Sequence, residues 1–165
     1  VTVLITGGHS PRTLKLLKAF AGHHLILGGY GEMPSLQTPE YRFVSLGAYL
    51  PAALAHQLLQ ACLDQGADAI LPLLAEEVRA LAESAVLFAE FGIRVLLPAD
   101  AIHWLAPATP AAERWSVWLE GKPVAAFPPL TGAEESAGRS AALQGAFVSD
   151  QNGHFQLFTV SADGL

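Results

Sequence analysis

A chain of 165 residues, 52% apolar and only 15% charged, is long enough to bury a core without disulfides or metal. Its formal charge of −6, with nine Lys and Arg scattered along it, argues against a binder of nucleic-acid phosphates, which needs a basic stripe. The apolar runs break well before the ~20 residues of a membrane helix, and a single cysteine, Cys62, rules out an internal disulfide.

The first element, residues 1–6, is a β-branched and aliphatic run that stops at Gly7-Gly8, the pattern of a parallel strand buried on both faces. Ser10 then offers an N-cap, and Pro11 stands at the first helical position, where its missing N–H costs nothing. The spacing predicts a helix whose inner face carries Leu14, Leu17 and Ala21, with Leu16 and Phe20 beside it, closed by Gly22. A short strand follows at 25–28, ending in Gly28-Gly29, then a loop through Gly31, Pro34 and Pro39 and a brief strand at 42–45. Pro51 opens a second helix, with Leu54, Leu58, Ala61 and Cys62 at helical spacing and Gly66 at its end. Residues 69–73 read as a strand. Val78, Leu81, Ala82, Ala85 and Phe88 define a third helix stopped by Gly92, and 94–97 form the next strand. Strand and helix alternating at this pitch predict an α/β fold, a Rossmann-like doubly wound parallel sheet over residues 1–105.

Beyond residue 106 the pattern changes. Pro107 and Pro110 mark a linker, and 115–119 and 124–127 alternate as a hairpin around Glu120-Gly121-Lys122. Residues 128–139 read as a loop, and 143–149 with 155–160 as a second hairpin around Asp150-Gln151-Asn152-Gly153. Residues 106–165 are thus a small antiparallel β-hairpin appendage, too small to stand alone, packed on the first domain or at a dimer interface. The high apolar content favours a homodimer. Cys62, among Leu58, Leu59, Ala61 and Leu63, is a buried helix position, and a reducing cytoplasm is the expected setting.

The strand at Val3-Leu4-Ile5-Thr6-Gly7-Gly8 and the later Asp68-Ala69-Ile70-Leu71-Pro72-Leu73 occur in a characteristic order. They are followed by Glu76-Glu77, Leu81-Ala82 and Phe91-Gly92-Ile93-Arg94-Val95-Leu96. This succession resembles the pre-ATP-grasp domain that opens carbamoyl-phosphate synthase large chains and biotin carboxylases. The resemblance covers residues 1–100. It implies a domain that contributes to the substrate side of a ligase cleft, while the parts that grip ATP are separate and have no counterpart in residues 106–165. It also implies a separate ATP-grasp protein as a partner. Gly138-Arg139-Ser140 is only a faint echo of a phosphate-covering loop.

The turn Thr6-Gly7-Gly8-His9-Ser10-Pro11-Arg12 lies between a strand end and a helix start, where backbone N–H groups favour an anion. Arg12 adds a bidentate donor and Ser10 a hydroxyl. Ligands of open α/β sheets bind beyond the carboxyl ends of the strands, so Glu76 and Glu77 belong near this turn, and Gly29, Tyr30 and Glu32 form a third wall. One glutamate is placed to orient a polar substrate or Arg12, or the pair simply complements the helix dipole. The expected ligand is a small anionic metabolite or nucleotide, and no cofactor is named.

Other chemistries fail on specific residues. A dinucleotide fingerprint needs glycine where His9 and Arg12 stand, and the acidic residue expected ~20 positions on is replaced by Gly28, Gly29 and Tyr30; the second reading, beside the binding domain, is an NAD(P)- or nucleotide-dependent enzyme. A nucleophile elbow at Ser10 lacks the N–H of the following residue, because that residue is Pro11. The histidines have no metal-ligand spacing, and Trp104, Trp115 and Trp118 lack the basic neighbours of a nucleic-acid platform. No catalytic residue is assigned. A third reading is an interaction module whose hairpins dock an ATP-grasp subunit.

Overall fold

In a computed structural model, which describes residues 1–162, the first five strands form one parallel sheet. They are β1 (Thr2–Ile5), β2 (His24–Gly29), β3 (Tyr41–Ser45), β4 (Ala69–Leu71) and β5 (Arg94–Val95), in the order β3-β2-β1-β4-β5. Central β1 and β4 carry continuous apolar runs because both of their faces are covered: Val3, Leu4, Ile5, Ala69, Ile70 and Leu71 are all buried. The chain runs outward from β1 to β2 and β3, then returns past β1 to β4 and β5. With right-handed crossovers, this reversal puts the Pro11–Phe20 helix on one face. The helices α1 (Leu54–Gln65) and α2 (Ala75–Glu90) pack together on the other. The fold is Rossmann-like and doubly wound, and its switch point lies between β1 and β4.

The Pro11–Phe20 segment differs from expectation in its pitch. It is a 3₁₀ helix, capped by Ser10, and its buried residues are Thr13, Leu16, Ala19 and Phe20. At three residues per turn the inner face repeats every third position, so Leu14 and Ala21, predicted as core, point outward. The α-helical spacing does hold in α1, where Leu54, Leu58 and Cys62 are buried and Gly66 ends the helix in the left-handed region. Burial pushes the Cys62 thiol up to about 12. At pH 8 a thiol reagent is therefore expected to leave the folded protein unmodified and to label one site only after denaturation. Rapid labelling of the native chain would contradict this burial.

The remaining strands, β6 (Trp115–Leu119), β7 (Lys122–Phe127), β8 (Gly145–Ser149) and β9 (Phe155–Leu157), are antiparallel, in the order β7-β6-β8-β9. The two hairpins thus join through β6 and β8 into a single four-stranded sheet. Between them lies a correction: residues 132–140 are not loop but helix α3 (Gly132–Ser140). Its start carries a capping box, in which the Thr131 hydroxyl accepts from the Glu134 N–H and Glu134 Oε1 accepts from the Thr131 N–H. The small sheet shares its core with the large one. Trp115, Val117, Ala146, Val148, Phe158 and Val160 belong to the same apolar cluster as β1, β2 and β4. Trp118, Phe147, Phe155 and Leu157 pack with Val78 of α2. Among the described residues, no helix is long and apolar enough to cross a membrane.

Candidate functional site

At the switch point β1 runs into the Thr6-Gly7-Gly8 turn. Gly7 has φ +72°, and a Cβ there would stand 2.8 Å from Val160 Cγ2, so conformation and space both require glycine. Much of the turn's hydrogen bonding is spent within the fold. The Gly8 N–H donates to Gly28 O at 2.9 Å, the Ser10 N–H to Gly7 O at 3.0 Å, and the Thr13 hydroxyl to Gly7 O at 2.6 Å. Ser10 Oγ accepts from the Arg12 N–H, which is its helix-capping bond. His9 lies across the end of β2, its Nε2 2.7 Å from Tyr30 O. A Cβ on Gly29 would meet both the His9 ring and the Met33 sulfur.

Beneath this turn lies a buried carboxylate. Glu77, in the first turn of α2, is fully buried. Its Oε1 accepts from the Thr6 hydroxyl and, at 3.1 Å, from the Leu74 N–H; its Oε2 accepts from the Tyr30 hydroxyl at 2.7 Å. Thr6 Oγ1 in turn accepts from the Leu73 N–H at 2.7 Å. One side chain thus ties the ends of β1, β2 and β4 to α2. Desolvation raises the Glu77 pKa, and the bonds from Thr6, Tyr30 and Leu74 offset only part of that rise. Tyr30 is raised as well, first by its own burial and then by the neighbouring Glu77 charge.

The crevice has a roof. Past β9 the chain continues over the switch point, where the Val160 N–H donates to Leu73 O at 2.8 Å. Arg12 Nη1 donates to Thr159 O at 2.9 Å and its Nη2 to Pro110 O, with the guanidinium 5.1 Å from the centre of the Phe158 ring. What remains is a recess of about 20 Å³ lined by Gly7, His9, Ser10, Gly29, Tyr30, Leu74, Val160 and Ser161. That is room for about one water molecule.

Of the predicted residues, Gly7, His9, Ser10, Gly29 and Tyr30 meet in this recess. Thr6 and Glu77 lie beneath it, and Gly8 packs on Gly28 and Met33. Arg12 is turned to the Thr159 and Pro110 carbonyls and bonds neither glutamate. Glu76 is exposed and pairs with Arg79 at 2.8 Å, and Glu32 is exposed in the loop after β2. The two glutamates differ because of helical position: Glu77 is four residues before Leu81 and shares the buried face with it and Phe88. That periodicity was a readable signal. The roof residues Val160 and Ser161 were not singled out, although 157–160 are all buried, which breaks the alternation of a half-exposed strand. Among the described residues, no group of three or more His, Cys, Asp or Glu is placed to hold a metal ion.

No family model matches this chain, and no curated protein matches it. Among solved structures, it is similar to dTDP-glucose 4,6-dehydratase of Bacillus anthracis str. Ames, solved in complex with NAD. The two are 16% identical with a TM-score of 0.40, over 86% of this chain and 48% of the dehydratase. The chain therefore spans about half the length of that structure.

Proposed function

We propose that this chain is a Rossmann-like ligand-binding domain of the pre-ATP-grasp type. It takes a small anionic metabolite or nucleotide at the C-terminal ends of β1, β2 and β4, and does not itself complete a ligase reaction. One observation carries the reading. At the switch point the Arg12 guanidinium is satisfied by two carbonyl oxygens, those of Thr159 and Pro110, and the first belongs to the segment that roofs the recess. Two oxygens on one guanidinium are what a carboxylate or phosphate presents. The roof occupies the ligand's place in the closed state, and the ligand binds when residues 159–161 lift away, beside His9 and Ser10.

The test is a thermal-shift screen against ATP, AMP, NAD, NADP and phosphorylated or carboxylated metabolites. A ligand at a hundredfold excess over its Kd adds about 2.7 kcal/mol of stability, several degrees of midpoint for a domain of this size. Arg12→Ala should abolish the shift. Val160→Ala weakens the closed roof and should strengthen binding, because closure competes with the ligand. Unchanged affinity in Arg12→Ala would exclude this site, and silence across the whole panel would turn the reading towards a module that docks a separate ATP-grasp protein.

A further inference from the structure

The arginines and lysines of this chain are treated differently by the fold. All six arginines have partners: Arg12 on two carbonyls, Arg42 on Gln65, and Arg79, Arg94, Arg114 and Arg139 on glutamates. Lys15 and Lys18 have none among the described residues. Both line a groove of about 340 Å³ between the Pro11–Phe20 helix and the β6–β7 hairpin, a different place from the recess at the switch point.

The helix type makes this pairing significant. In a 3₁₀ helix, positions i and i+3 eclipse, so Lys15 and Lys18 stand one above the other on a single row. Two like charges so placed repel. Glu113 also lines the groove but forms no ion pair with either lysine. An anion seated between the two ammonium groups removes the repulsion. The rest of the lining is apolar: Trp115 forms a buried floor, Ala126 a small-residue wall, and Phe127 a rim left 63% exposed. The volume lies at the small-molecule end of ligand sites.

We infer that this groove is a binding site for a small organic anion with a flat apolar body. The carboxylate, sulfonate or phosphate head sits on Lys15 and Lys18, and the ring lies on Trp115 and Ala126 against Phe127. The site does not depend on the switch-point reading, since it shares no lining residue with that recess.

The experiment uses 2-naphthalenesulfonate as probe and the neutral naphthalene-2-sulfonamide as its control, titrated by calorimetry with Trp emission as a second readout. The sulfonate should bind at least tenfold more tightly than the amide. The double variant Lys15→Gln/Lys18→Gln, whose side chains are exposed, should keep its melting temperature and lose tenfold or more in affinity. Ala126→Trp, which fills the groove and leaves the lysines in place, should abolish binding. Failure of the sulfonate to bind at millimolar concentration, equal binding of the amide, or unchanged affinity in the lysine variant would overturn the inference. So would a wild-type chain that sediments as a dimer, is split by Phe127→Asp and takes up no sulfonate, because a second copy would then be the occupant.

Discussion

Replacing Glu77 by alanine is expected to destabilise the fold by about 3–5 kcal/mol, because it strips partners from three buried donors at once. The Thr6 hydroxyl, the Tyr30 hydroxyl and the Leu74 N–H all donate to this one carboxylate, and a fully buried position gives them no water in exchange. Glu77→Gln tests a different term. Its amide oxygen still accepts from Thr6 and Leu74, while its NH₂ faces the Tyr30 oxygen and leaves the Tyr30 hydroxyl proton without its acceptor, so two of the three bonds survive and the buried charge is gone. The amide should therefore cost much less than alanine at neutral pH.

The same pair gives a pH signature. Desolvation raises the Glu77 pKa in the folded state, so the native protein binds this proton more tightly than the unfolded chain does. The residue's contribution is then fully present below the ordinary carboxylate range and is lost as pH rises from there through the raised folded value. Urea unfolding of wild type and Glu77→Gln at several pH values between 4 and 8 measures it. The stability of wild type relative to the amide should fall as pH increases. A constant difference across that range would mean that burial does not control the protonation of Glu77.

Glu77 also shows which features could be read from the sequence. The sheet was legible because β1 and β4 are short apolar runs closed by turn residues, and such runs in alternation with helices admit few arrangements. Helix α3 is concealed by its composition: Gly132, Ser136, Gly138 and Ser140 read as loop, and the Thr131-x-x-Glu134 cap is the one local signal of a helix start. Gly138 is there for packing, since a Cβ would run into the Trp118 ring, a contact made by tertiary structure alone. The pitch of the Pro11–Phe20 helix was likewise invisible, because its apolar residues fit both three and 3.6 residues per turn until packing chose Thr13, Leu16 and Ala19. The roof over the candidate site rests on contacts such as Arg12 to Thr159, 147 positions apart, and local pattern carries no record of them.

The second large effect is expected at Glu134, the other fully buried carboxylate among the described residues, and with the opposite pH dependence. Burial alone would raise its pKa, but bonds from Ser149, the Thr131 N–H and Arg114, together with the Arg114 charge, overcome this and hold it below the usual carboxylate value. Its stabilisation is therefore present above the ordinary carboxylate range and is lost as pH falls below it. Glu134→Ala removes the α3 capping box, the Ser149 tie to β8 and the partner of Arg114 together. Arg114 retains 19% side-chain exposure, so solvent softens the stranding of its charge, and a loss of about 2–4 kcal/mol is expected. Glu134→Gln should recover the bond from the Thr131 N–H but not the ion pair, and should fall between alanine and wild type. If Glu134→Gln unfolds at the same urea concentration as wild type at pH 7, the ion pair contributes nothing and the cap alone fixes α3. If the stability difference between wild type and Glu134→Gln instead narrows as pH is lowered from 5 to 3, while that between wild type and Glu77→Gln shifts in wild type's favour as pH is lowered from 8 to 5, the two buried carboxylates act in separate pH windows. One then favours the fold most when protonated and the other when charged.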